Sequence, residues 1–121
     1  MGKKILILDD NSDILEILDL LLMEFGYETK CLSSAESVFE NIKEFNPDLL
    51  LMDVMLAKTD GLAVCKNIKE NVLTSLLPVI LMSGTQDLAQ SLNLPGAPND
   101  YLAKPFDIDI LLDKLEKHLG A

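Results

Sequence analysis

Four largely apolar segments of the chain each end in polar side chains. The segments are KILIL (4–8), LLLM (49–52), PVILM (78–82) and DYLA (100–103), followed in turn by Asp9 and Asp10, Asp53, Ser83 and Lys104. One Asp in such a place is commonly a turn or helix-capping residue, and Ser83-Gly84 or Lys104-Pro105 alone is typical of a turn or loop. Four such endings in succession are not explained by turns alone.

If these side chains gather in one place, they predict a site for phosphoryl transfer. Three carboxylates raise one another's pKa unless a cation relieves their repulsion. A cluster with only oxygen ligands favours a hard ion, and Mg²⁺ with several retained waters fits best. Lys104 and Ser83 could then hold a phosphoryl group while a carboxylate acts as the nucleophile.

The elements that must position these residues indicate an α/β fold. Segments that are apolar on both faces are typical of buried parallel strands, and a weaker strand is predicted over 28–32. Amphipathic patterns predict helices that begin at Asn11 or Ser12, at a capping box formed by Ser33 and Glu36, near Gly61, and at Asp107. The first of these helices ends at Gly26, the second at Asn46-Pro47 and the third near Asn71.

Five strands in alternation with about five helices predict a parallel sheet with right-handed crossovers and helices on both faces. The carboxyl ends of parallel strands share one edge, where ligands bind at the switch point of the topology. Residues 85–99 should hold a short fourth helix, which Pro95, Gly96 and Pro98 restrict to about two turns. All 121 residues fit one domain, with no output domain visible.

Composition excludes several classes of function. The formal charge of −10 and the pI near 4.3 disfavour direct nucleic-acid binding. No stretch approaches the roughly 18–20 apolar residues of a membrane span, and the apolar run at the N-terminus is too short for a signal peptide, so we expect a cytoplasmic protein. Cys31 and Cys65 stand far apart, and His118 is the only histidine, which disfavours thiol or imidazole metal sites and Ser-His-Asp catalysis.

In combination, these motifs resemble the response-regulator receiver family of two-component signal transduction over the whole chain. The motifs are ILDDN (7–11), LLLMDVML (49–56) with DG (60–61), PVILMSG (78–84) and DYLAKPFD (100–107). The resemblance implies a (βα)5 flavodoxin-like, doubly wound sheet with strand order 2-1-3-4-5. It also implies that the protein is a signalling domain, which catalyses only its own aspartyl phosphorylation and slow dephosphorylation.

The resemblance further implies a role for each site residue. Asp53 would accept a phosphoryl group from a phosphohistidine, and Mg²⁺ would be bound by Asp10, Asp53, the Met55 backbone carbonyl and, largely through water, Asp9. Lys104 would pair with the phosphoryl oxygens. Ser83 would hydrogen-bond to the phosphorylated Asp53, and Tyr101 would be the rotamer switch that turns inward as Ser83 moves. Without the resemblance, Tyr101 is simply a half-buried aromatic on the last strand.

The implied partners are a sensor histidine kinase or histidine phosphotransfer protein, and an unknown output domain or protein. The output surface would comprise the fourth helix, the fifth strand and the last helix, and a phosphorylation-dependent homodimer is also compatible with it. The sequence departs from the family pattern at Ala57, where proline is usual, in one additional residue over 96–101, and in its short fourth helix. These departures affect the output surface more than the site.

Met55 and Thr85 each stand two residues beyond a site residue and should line the approach to the phosphoryl group. The bulky apolar Met55 is expected to hinder the attacking water and so lengthen the phosphorylated lifetime.

Two other classes of function are compatible with parts of the sequence. A small Mg²⁺-dependent aspartyl phosphatase or dehalogenase-like hydrolase also uses an Asp nucleophile, but it usually has an Asp-x-Asp motif and a longer chain. A phosphorylation-independent, receiver-like binding module would not need all five polar positions filled. Flavin binding is disfavoured because Asp9 and Asp10 would repel the phosphate of the flavin.

Overall fold

The computed structural model describes residues 2–56, 59–84 and 96–120. Over these residues the chain forms five strands and four α-helices. The strands are β1 (Lys4–Leu8), β2 (Glu28–Leu32), β3 (Leu49–Asp53), β4 (Val79–Ser83) and β5 (Asp100–Ala103). The helices are α1 (Ser12–Glu24), α2 (Val38–Phe45), α3 (Gly61–Glu70) and α4 (Ile108–Leu119). The helix predicted within 85–99 falls largely on residues outside the described part.

The five strands form one parallel sheet in the order β2-β1-β3-β4-β5, as predicted. Two hydrophobic clusters account for the helices on its two faces. Alternate residues of the same strands point to opposite sides, because successive side chains of a strand do so. On β1, for example, Ile5 and Ile7 contact the cluster that contains α1 and α4, and Leu6 and Leu8 contact the cluster that contains α2 and α3.

The central strands are apolar on both faces for this reason. Every residue of β3 and β4 is buried, including the polar residues with which the two strands end. Strand β2 lies at one edge of the sheet and is only partly buried, which explains its weaker apolar pattern. None of the described helices combines the length and the apolar character needed to cross a membrane.

Helix ends follow the sequence signals at three of four predicted starts. The Asn11 side chain accepts hydrogen bonds from the amides of Asp13 and Ile14 at 2.9 and 3.3 Å, and Asp107 caps α4 in the same way. The helix predicted from about Gly61 to Asn71 is α3, which Asp60 caps. Gly26 has a φ of +90°, and its amide donates to the carbonyl of Met23, which ends α1 as expected.

The predicted capping box at Ser33 is wrong by one residue. Ser34 is the capping residue, and its hydroxyl accepts from the amide of Glu36 at 3.2 Å. The first turn after it, Ala35–Ser37, is a 3₁₀-helix, and α2 begins only at Val38. The tighter 3₁₀ turn moves the cap to the next hydroxyl, a distinction that adjacent serines in a sequence do not reveal.

Candidate functional site at the carboxyl edge of the sheet

Three carboxylates converge where β1 and β3 end side by side. One oxygen from each of Asp9, Asp10 and Asp53 lies within 4.8 Å of the others. The strand order makes β1 and β3 neighbours, so that the residues following Leu8 and ending β3 meet at the same edge. Asp9 is fully buried, Asp53 is nearly so, and Asp10 is exposed.

Lys104 bridges two of these carboxylates. Its ammonium nitrogen lies 3.0 Å from Asp9 Oδ2 and 3.3 Å from Asp53 Oδ1, and its side chain is 20% exposed. The backbone amide of Lys104 donates to the carbonyl of Ser83 at 2.8 Å, which continues the pairing of β5 with β4 beyond the strand end. Lys104 and two carboxylates that stand 95 and 51 residues before it in the sequence are thereby brought into contact, as the pattern of strand endings predicts.

Burial and the neighbouring groups have opposing effects on the pKa of Asp53. Burial raises the pKa of the Asp53 carboxyl above its ordinary value, and the negative charge of Asp9 raises it further. The Lys104 ammonium and a hydrogen bond from the Met55 amide act in the opposite direction. The result is a buried carboxyl whose ionised form depends on nearby positive charge and donors.

Asp9 has both of its oxygens engaged by the protein. Oδ1 accepts from the backbone amide of Asn11 at 2.9 Å, and Oδ2 faces Lys104. Asp10 next to it is exposed to solvent. The two adjacent acids therefore differ in the coordination that they can still offer: Asp10 has the freer access to a solvated cation.

The remaining predicted residues lie on the same edge or on the strand that leads to it. Ser83 is the buried last residue of β4, one position beyond Met82, which pairs with Asp53. Tyr101 lies earlier on β5, half-buried, and packs against the cluster that contains α2 and α3. This position is compatible both with a switch residue and with a structural aromatic. Met55 is 74% exposed just beyond Asp53, whereas Ala57 and Thr85 lie outside the described residues.

The sequence interpretation did not identify the role of two backbone amides and one glycine. The amides of Met55 and Asn11 hydrogen-bond to the carboxylates of Asp53 and Asp9, and side-chain patterns carry no signal for such bonds. Gly61 packs directly against the backbone at the end of β3. The Asp60-Gly61 pair was noticed as part of a motif, but its spatial relation to Asp53 was not foreseen.

The donor set fits a hard divalent cation. All side-chain ligands in the cluster are carboxylate oxygens, and one of the three residues is exposed, which leaves room for the waters that Mg²⁺ retains. The spacing within 4.8 Å allows more than one oxygen to contact the same ion. Such an ion would favour the ionised form of Asp53 against its burial and the repulsion from Asp9, both of which raise the pKa of this carboxyl.

The model of the response regulator receiver domain matches residues 5–116 of the chain. The fold, the strand order and the acidic site at the sheet edge agree with this match, and the chain belongs to the response regulator receiver domain family. Receiver domains are modules of two-component signalling and not enzymes with a separate substrate to turn over. The resemblance noted in the sequence is therefore confirmed.

Individual relatives agree with this assignment. The chain is 34% identical over 107 residues to the alkaline phosphatase synthesis transcriptional regulatory protein PhoP of Bacillus subtilis (strain 168), a match covering 88% of this chain. The matched region is only 44% of PhoP, so the chain spans less than half the length of this relative. A crystal structure described as a response regulator from Chloroflexus aurantiacus J-10-fl superposes with a TM-score of 0.90 at 32% identity, covering 100% of both chains.

A second solved structure concerns the metal. The receiver domain of a sensor histidine kinase from Pseudomonas aeruginosa PAO1 is 25% identical, has a TM-score of 0.83 and covers 100% of both chains. It contains a magnesium ion coordinated in its active site cleft.

Proposed function

We propose that the chain is the phosphoacceptor switch of a two-component phosphorelay, in which Asp53 accepts a phosphoryl group from a phosphohistidine. The donor would be a sensor histidine kinase or a histidine phosphotransfer protein, which meets this domain in the cytoplasm. The observation that carries the proposal is the carboxylate cluster bridged by Lys104 at the carboxyl edge of the sheet. In a receiver domain, such a cluster has the groups that acceptor chemistry requires.

The transfer step needs an ionised Asp53. One carboxylate oxygen attacks phosphorus, the P–N bond of the phosphohistidine breaks, and its electron pair stays on the imidazole nitrogen. The product is a mixed anhydride of aspartate and phosphate. Lys104 and the Met55 amide favour the ionised form against the cost of burial, so they keep the nucleophile ready.

Asp10, Asp53 and the Met55 carbonyl would hold Mg²⁺ directly, and Asp9 would act largely through water. The different environments of the two acids support this division, since Asp9 already binds Asn11 and Lys104 while Asp10 is exposed. The ion, when bound, supplies positive charge that neutralises the carboxylates and the phosphoryl oxygens.

Phosphorylation would change the contacts of Lys104 and Ser83. The phosphoryl group adds negative charge and three acceptor oxygens beside Asp53. Lys104 would then turn from Asp9 towards these oxygens, and the Ser83 hydroxyl would donate to them. We propose that Tyr101 turns inward as the loop after Ser83 moves, which changes the surface formed by the 85–99 segment, β5 and α4.

This surface would act on an output partner, either another domain or a separate protein, or would pair two phosphorylated copies. The acidic charge of −10 makes direct binding of nucleic acid by this domain unfavourable, so we assign any DNA contact to the partner.

The acceptor is tested by incubation with acetyl phosphate or phosphoramidate and Mg²⁺, followed by intact-mass measurement. We expect one phosphoryl group on the wild type, none on Asp53→Asn, and a normal gain on the control Asp113→Asn, which alters an exposed acid on α4. A gain in all three proteins, or in none, contradicts the proposal. Repeated turnover of a phosphate ester would indicate a hydrolase, whereas partner binding that ignores phosphorylation would indicate a simple binding module.

A further inference from the structure

Gly61, the first residue of α3, lies against the backbone that carries the acceptor. A Cβ atom placed on Gly61 would lie 2.7 Å from Val54 Cα and 3.0 Å from the Val54 carbonyl oxygen, and closer still to the carbonyl oxygen of Asp53. Contacts of this kind fall below ordinary van der Waals separation. All three opposing atoms belong to the backbone, so no side chain can rotate to relieve the clash. Only glycine allows α3 to begin here.

The close approach is part of a set of contacts that close the loop between β3 and α3. The Gly61 amide donates to the Val54 carbonyl at 2.7 Å, and Met55 pairs with Asp60 in an antiparallel bridge. Asp60 in turn caps α3 by accepting from the Leu62 amide at 2.9 Å. The start of α3 therefore fixes the backbone of the two residues that follow Asp53.

The fixed backbone serves the acceptor directly. Met55 lies two residues beyond Asp53 and is tied to the start of α3 by its bridge with Asp60. Its carbonyl belongs to the same short stretch, so a displacement that moves the amide also moves this proposed ligand. A helix start that was pushed outward by a Cβ would carry Asp60 and, through the bridge, Met55 away from Asp53.

We infer that Gly61 is a positioning residue of the acceptor site, which places the Met55 backbone against Asp53 by letting α3 begin directly on the end of β3. The inference deepens the proposed function and rests on it. It assigns no chemistry to Gly61 itself, because glycine has no group to contribute. Its effect is exerted through Met55.

The test compares Gly61→Ala with Gly84→Ala, both in the full chain. Gly84 follows Ser83 at the same edge of the sheet, but a Cβ there meets no described atom within 4 Å, and its φ is not positive. Two readouts avoid the phosphorylated state: the affinity for MgCl₂ by titration calorimetry, and the backbone amide resonances of Val54 and Met55 in metal-free protein by NMR. For Gly61→Ala we expect Mg²⁺ affinity about tenfold weaker, as for loss of a group that orients a ligand.

The amide resonances separate positioning from a general loss of stability. Displacement of the backbone that follows Asp53 should shift the amide resonances of Val54 and Met55 in Gly61→Ala, whereas Gly84→Ala should leave them unchanged. A merely weakened fold would leave both values at those of the wild type in the folded population. Wild-type Mg²⁺ affinity together with wild-type amide resonances of Val54 and Met55 in folded Gly61→Ala overturns the inference.

A milder variant keeps the inference testable if Gly61→Ala does not fold. Asp60→Ala retains Gly61 but removes the cap at Leu62, which loosens the same closure. We expect a smaller change of both readouts in the same direction, and unchanged values count against the inference. Failure of the wild type to take up phosphate would instead contradict the proposed function, while the metal-free NMR comparison would still decide the role of Gly61.

Discussion

In the acidic site, neighbouring residues of the same type have different surroundings. Asp9 and Asp10 are adjacent, yet one is fully buried between Lys104 and the Asn11 amide and the other is exposed. Asp53 is buried but bordered by a lysine and an amide that favour its charge. The chemical type of each residue, and its place at a strand end, could be predicted from the sequence. The burial of Asp9 and the exposure of Asp10 could not be predicted from the two residues themselves, because they depend on contacts such as that with Lys104 far along the chain; only the family resemblance implied different roles for them.

Met55 provides a prediction at this scale. Its side chain is 74% exposed beside Asp53, where it would shield the phosphoryl group from attacking water. We expect Met55→Asn to speed dephosphorylation about tenfold, equivalent to about 1.4 kcal/mol of barrier, because a polar amide can position that water. The control Met55→Leu keeps the bulk and apolar character and should decay at the wild-type rate. The measurement is loss of phosphoryl mass with time after the donor is removed; equal lifetimes in all three proteins would disprove this role.

Among the elements, β5 is attached to α4 by a charged cluster at the end of the sheet opposite the site. Asp100, the first residue of β5, has its carboxylate 2.8 Å from Lys114 Nζ and 3.0 Å from His118 Nε2, with Lys117 at 3.9 Å. The sequence predicts the bounds of β5 correctly, but it gave His118 a meaning only as evidence against metal binding and Ser-His-Asp catalysis. Its pairing with Asp100 follows from the docking of α4, which a local pattern does not specify. The same limit applies to the 3₁₀ turn before α2.

This cluster predicts a pH-dependent contribution to stability. Burial tends to raise the pKa of Asp100, but hydrogen bonds from Lys114 and His118 outweigh it and hold the pKa below its ordinary value. The contribution is therefore present above the unfolded pKa of about 3.9 and is lost as the pH falls through the folded pKa. At pH 7 we expect Asp100→Asn to lower the free energy of unfolding by about 2 kcal/mol, as for a hydrogen bond to a charged group.

The measurement for Asp100→Asn is urea unfolding followed by circular dichroism, since the chain has no tryptophan. The difference from wild type should shrink as the pH is lowered below about 4. Asp113→Asn, at an exposed position of the same helix, is the matched control and should change stability by no more than about 0.5 kcal/mol. A deficit of Asp100→Asn that persists unchanged in acid would contradict the ion-pair explanation.

For the whole molecule, the fold brings three negatively charged residues together at one edge of the sheet. The chain carries a formal charge of −10, and three of its acids share one edge of the sheet. The alternation of strands and helices requires this edge to exist, and the sequence was sufficient to predict it, because every polar ending follows a strand of the parallel sheet. The sequence predicts the repulsion among these acids but not the burial of Asp53, which is the largest cause of its raised pKa. We therefore expect the buried acceptor to lower the stability of the metal-free protein.

That cost predicts that removing the acceptor charge stabilises the metal-free protein. The folded pKa of Asp53 is raised above its unfolded value, so the folded state binds more protons between the two values. The contribution of the Asp53 carboxyl to the free energy of unfolding is complete below its unfolded pKa and is lost as the pH rises through its folded pKa. At pH 7 without metal, Asp53→Asn should therefore have a higher free energy of unfolding than the wild type. Its free energy of unfolding should also depend less on pH between the unfolded and folded pKa of Asp53.

Mg²⁺ should make the wild type the more stable of the two proteins: at 100 times its dissociation constant it should stabilise the wild type by about 2.7 kcal/mol. It should stabilise the variant, which has lost one ligand, by less. Urea unfolding of both proteins with EDTA and with MgCl₂ checks these expectations. A wild type that is more stable than Asp53→Asn in EDTA, or equal stabilisation of both by Mg²⁺, would show that the buried acceptor is not under electrostatic stress.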